Sequence, residues 1–75
     1  MSYKKAKEEL KKVHANVKYF TKECFNIIMQ DRATAAELFE RGENVQEFYK
    51  NSATAKTDFY QKNGGAYCEL LSILN

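Results

Sequence analysis

Few side chains in this sequence are of a type that does chemistry: one histidine, His14, two cysteines, Cys24 and Cys68, and ten carboxylates scattered from Glu8 to Glu69. Acid–base and nucleophilic catalysis need groups that converge and perturb one another's ionisation. On a helix His14 has Lys11 and Lys18 as neighbours and no carboxylate three or four residues away, so it reads as a boundary residue rather than a base or a zinc ligand. Cys24 falls on an apolar stripe, where a thiol is held protonated rather than activated. Two cysteines are too few for a disulfide framework or a zinc site, and both read as reduced thiols of a cytoplasmic protein. Gly64-Gly65 lacks the preceding strand and the following lysine-serine or lysine-threonine of a phosphate-binding loop, and reads as a turn. The expectation is a non-enzyme with no catalytic residue, no metal and no cofactor.

Binding chemistry is better represented. Five tyrosines and five phenylalanines are more large rings than a narrow two-helix seam easily buries. Phe25, Met29, Phe48 and Tyr60 lie off the best-defined seam and are the side chains expected to anchor a larger protein partner, as in a small regulator, inhibitor or adaptor, or to fill a homodimer core. Charge offers an alternative. Residues 1–22 carry seven lysines against two glutamates, and residues 23–47 six acidic residues against two arginines. A stripe of Lys4, Lys5, Lys11, Lys12 and Lys18, with Tyr19 as a stacking surface, would suit a nucleic-acid backbone. Its lack of arginine counts against base readout and bidentate phosphate contact. A third reading is a structural subunit of a larger assembly.

The elements that must position these residues are helical. The chain has 75 residues, no proline and three glycines, a composition suited to one all-α domain over 1–75. Tyr3, Ala6, Leu10, Val13, Val17, Phe20, Cys24 and Ile27 alternate three- and four-residue steps, the spacing of a heptad seam. That pattern predicts a helix from Tyr3, capped by Ser2, to about Gln30. Thr34 and Glu37 have the spacing of a capping box and open a second helix, expected to continue through Gly42 because an acidic residue followed by two apolar ones recurs at 11-residue intervals at Glu47, Asp58 and Glu69. The alternative ends a helix at Gly42 and restarts it with Asn44 and Glu47.

Asn51 to Thr57 has poor helix propensity, and Lys62 to Gly65 is the clearest break, with a short helix following from Ala66 to about Leu74. The expected fold is a helical hairpin of two long helices plus a short C-terminal helix, completed as a dimeric bundle, because a core this small gains from association. The longest purely apolar runs are three residues, such as Ile27 to Met29, so neither a signal peptide nor a membrane span is expected. No motif ties the sequence to a known family.

Overall fold

A computed structural model describes residues 1–75 as five α-helices with no strand: α1 (Tyr3–Val13), α2 (Lys22–Glu40), α3 (Val45–Lys50), α4 (Asp58–Lys62) and α5 (Gly64–Leu74), with a single 3-10 turn at Thr54–Lys56. The fold is all-α, but it is not a hairpin of two long helices. The expected first helix stops at Val13. His14 caps it in extended conformation, and the chain stays non-helical until Thr21, whose hydroxyl accepts from the Cys24 N–H at 3.1 Å and starts α2. Residues 14–21 contain His, Asn, Val, Tyr, Phe and Thr, which together disfavour helix by about 3 kcal/mol relative to alanine. Tertiary contacts add to this. The Tyr3 hydroxyl donates to the Phe20 carbonyl at 2.9 Å, and their rings lie 5.4 Å apart. In an unbroken helix those residues would stand roughly 25 Å apart.

The second expected helix start, at Thr34, lies inside α2. Arg32, Ala33, Ala35 and Ala36 propagate the helix. Asp31, which could have broken it, directs its carboxylate away from its own backbone to accept from both the backbone N–H (2.9 Å) and the hydroxyl of buried Thr54. At Gly42 the helix ends, contrary to the continuous reading. Gly42 has φ +77°, its N–H reaches the Phe39 carbonyl at 3.0 Å, and the Glu43 N–H reaches the Leu38 carbonyl at 2.9 Å. These two bonds form a Schellman motif. The Asn44 side chain then caps α3, accepting from Gln46 and Glu47 N–H groups at 2.9 and 3.2 Å.

Another turn separates α3 from α4, so the 11-residue interval does not place Phe48 and Phe59 on one face: Phe59 is fully buried in the core and Phe48 half-buried on α3. The break near residue 63 stands where it was expected, but the diglycine opens α5 rather than ending α4, and neither Gly64 nor Gly65 adopts positive φ.

The core is intramolecular. Ala6 and Leu10 of α1 pack with Ala66 and Leu70 of α5, all four fully buried, and the paired alanines let the two helices approach closely. Phe20, Phe25, Ile28 and Phe59 fill the space beside them, with Phe20 and Phe59 centroids 5.1 Å apart. The seam residues Ala6, Leu10, Val17, Phe20 and Cys24 are thus buried, but against elements of the same chain, while Val13 is 57% exposed.

Beyond the core, the second half of α2 and the whole of α3 form an arm. No residue of α3 is buried, and Ala35 is the one buried residue of α2 outside the core cluster. The arm explains the shape: extents of 37 × 22 × 18 Å and a radius of gyration of 12.3 Å, against about 11.3 Å for a compact domain of this length.

Candidate interaction surface

The four expected protein-binding residues do not converge. Phe25 is 6% exposed, its ring edge-on to Phe20 at 6.1 Å and tilted against Tyr3 at 6.1 Å, so it belongs to the core and leaves the docking face. Met29 is half-buried against the same cluster. The reason is common to both: with α1 cut short, the first turns of α2 are enclosed on several sides rather than along one seam. Phe48 lies on the arm, its ring 5.3 Å from that of Tyr49. Tyr60 is 42% exposed on α4, edge-on to Tyr67 at 4.9 Å.

The residue that sequence reasoning missed is Phe39. It is 72% exposed, the largest exposure of any big apolar side chain here. It sits in the last turn of α2 because the Schellman bonds fix that turn, with Leu38 half-buried beside it. Leu38, but not Phe39, lines a groove of about 450 Å³ together with Phe48, Glu43, Asn44, Glu47 and Asn51. A signal was present: adjacent apolar residues such as Leu38 and Phe39 point about 100° apart on a helix, so a two-helix arm cannot enclose both.

The arm is also acidic. Residues 31–50 hold five carboxylates against three cations, whereas the rest of the chain holds nine lysines against five carboxylates. Glu43 pairs with Arg41 at 3.1 Å and Glu47 with Lys50 at 4.0 Å, both exposed and screened pairs, so the arm's net negative charge comes from its other carboxylates.

The expected nucleic-acid residues divide into two sets. Lys4, Lys5, Lys11 and Lys12 are exposed on α1, with Lys12 paired to Glu9 at 3.1 Å. Lys18 lies in the segment between α1 and α2, its ammonium 5.1 Å from the centroid of Tyr19, which is half-buried rather than fully exposed. Lys62, from the end of α4, reaches the same ring at 4.9 Å. Beside them a groove of about 520 Å³ runs between Lys18, Lys56, Thr21 and Thr57 on one hand and Glu23 and Asp58 on the other. Its mixed charge gives it no strong preference for an anion.

Burial raises the Cys24 thiol pKa, which its hydrogen bond to Thr57 only partly offsets, so the thiol stays protonated near neutral pH. His14 remains at the end of α1 as a capping residue, its N–H bonded to the Leu10 carbonyl at 2.8 Å. No three His, Cys, Asp or Glu side chains come together as a metal-ligand set, and no helix is long and apolar enough to cross a membrane. Compared with known proteins, the chain matches no family model, no curated protein and no solved structure.

Proposed function

We propose that this chain is a non-enzymatic interaction module that docks a larger protein through the tip of its α2–α3 arm. The observation that carries the reading is Phe39, held 72% exposed on an arm that takes no part in the core and next in sequence to Leu38, which lines a groove with Phe48. Large aromatic side chains are enriched among the anchors of protein interfaces. The arm's five carboxylates against three cations favour a lysine- or arginine-rich amphipathic helix as the partner segment.

Dimerisation is a further proposal on the same surface, with the basic helix α1 of a second copy as the occupant. It would join two closed cores, not complete an open one.

The test is capture on the immobilised full chain with nuclease treatment, comparing wild type with Phe39→Ser and Phe48→Ser. A protein held after nuclease and weakened about 10-fold or more by Phe39→Ser supports the reading, a loss of about 1.4 kcal/mol. Retention unchanged by both substitutions removes the arm as the docking face. A concentration-dependent rise in mass in sedimentation, lost in Phe39→Ser, identifies a second copy as the occupant.

The convergence of Lys18 and Lys62 on Tyr19 supports nucleic-acid binding as the second reading. It predicts affinity falling steeply with salt, and material lost entirely on nuclease digestion.

A further inference from the structure

Arg32 stands apart from the other two cations of the arm, Arg41 and Lys50, which are both paired. Of the two arginines, Arg41 is paired with Glu43, whereas Arg32 makes no ion pair. Its neighbours three and four residues away on α2 are Ile28, Met29, Ala35 and Ala36, so no carboxylate stands at an ion-pairing position on its own helix, and the adjacent Asp31 is engaged by Thr54. One guanidinium nitrogen donates to the Asn75 side-chain oxygen at 2.9 Å, and the remaining donors have no protein acceptor. The side chain is half-buried at the foot of the arm. There it lines a groove of about 380 Å³ with Tyr49 of α3, Tyr60 of α4, and Tyr67 and Leu71 of α5. Four helices and the turn at Ser52 and Thr54 therefore meet around one unpaired cation and three phenols. The volume is within the range of small-molecule sites.

We propose that this groove binds a small monoanionic carboxylate carried on an aromatic ring. The planar guanidinium fork matches a carboxylate in two parallel hydrogen bonds. One cation balances one negative charge. Asp31, adjacent to Arg32 and fixed by its bonds to Thr54 in the same wall, opposes a second charge, so a dianionic phosphate is disfavoured. Tyr60 and Tyr67 meet edge to face, 4.9 Å apart at 74°, and with Leu71 they give the groove an aromatic, apolar side for the ligand ring. Burial, reinforced by the neighbouring Tyr49 and Tyr60, pushes the Tyr67 hydroxyl up to about 12, so it is a hydrogen-bond donor and not a competing anion at neutral pH. The proposal uses none of the docking residues and stands or falls independently of the docking reading.

Three of the five tyrosines line the groove, so the ring resonances of Tyr49, Tyr60 and Tyr67 report on it directly. The experiment is a titration of the full chain with sodium benzoate, with methyl benzoate and inorganic phosphate in parallel, followed by NMR. The expected result is saturable benzoate binding with a dissociation constant on the order of 1 mM, as suits a fragment. The shifts should centre on the Arg32 Nε–H and the rings of Tyr49, Tyr60 and Tyr67.

Arg32→Met should weaken benzoate about 10-fold or more and Arg32→Lys less, the lysine variant retaining the charge without the fork. Circular dichroism of each variant checks the fold. Tyr60→Phe, at a partly exposed ring, should lower affinity only about 2- to 3-fold, the loss of at most one weak donor. The proposal is overturned by absence of saturation, by equal binding of the methyl ester, by phosphate binding as tightly as benzoate, or by full affinity in folded Arg32→Met.

Discussion

Two halves of one helix behave differently. From Lys22 to Gln30, α2 is wrapped by other elements and buries Cys24, Phe25 and Ile28. From Asp31 to Glu40 it buries Ala35 alone, and beyond its first turn, where Arg32 reaches Asn75, none of its side chains belongs to the core cluster. The first half is held by apolar contact, the second by directed polar bonds: the Asp31 carboxylate on Thr54, the Schellman turn at Gly42, and the Asn44 cap. Burial of a large side chain gives a few kcal/mol without requiring a particular partner atom, whereas a cap gives about 1 kcal/mol at one geometry. A surface meant to bind something else is more readily built from the second kind of support, because its apolar side chains are then left unused.

The contrast can be broken most forcefully at Phe59. Its ring is fully buried against Phe20, so Phe59→Ala should cost about 4 kcal/mol. That is from about a third to all of the roughly 4–11 kcal/mol expected of 75 residues, and near-ultraviolet circular dichroism should show loss of fixed packing. Stability retained within about 1 kcal/mol would mean that the core is not where the fold is decided.

Next is Asp31→Ala, which strands a buried N–H and hydroxyl at Thr54 and should cost about 2 kcal/mol. Hydrogen exchange sharpens the contrast here. Protection should fall at residues 54–57 and in α3 well before it falls in α1 and α5, and a uniform loss would show that arm and core open together. The smallest effect belongs to Gly42→Ala. Nothing lies within 4 Å of where the new methyl would sit, so only the positive φ is penalised, by about 1 kcal/mol. Thermal denaturation should report a drop of about 5 °C, and no drop would mean that the turn does not constrain the arm.

Much of the core was legible before the fold was known, and most of the surface was not. Ala6, Leu10, Val17, Phe20 and Cys24 stand out by their three-and-four spacing, and all five are buried. The same spacing runs without interruption across residues 14–21, where the chain is not helical. Periodicity reports which side chains avoid water, and a turn that returns Phe20 to Tyr3 satisfies that demand as well as a continuous helix does. Gly42 and Asn44 carried the chemistry of a stop and a start, and local capping outweighed the longer 11-residue pattern.

Lys18 and Lys62 on Tyr19 were out of reach, being 44 residues apart in sequence. So was the Arg32 groove, whose ring partners lie 17 to 35 residues away and meet only because α3, α4 and α5 fold back on α2. Its one local sign was an arginine with no acidic residue three or four positions away on its helix.

The packing of α1 on α5 has a kinetic consequence. Ala6 and Ala66, both fully buried in that contact, are 60 residues apart, so the core closes only after nearly the whole chain has been gathered. The entropy of bringing such distant segments together is about 3–4 kcal/mol beyond the fixed cost of any loop, and it falls before the contact gives anything back. The α2–α3 turn, by contrast, joins neighbours and can form early. During synthesis, the acidic arm with Phe39 is therefore made and shaped while α1 still waits for its mate. Until α5 is complete, the lysine-rich helix has its apolar face uncovered, and that interval is when the chain is most exposed to aggregation.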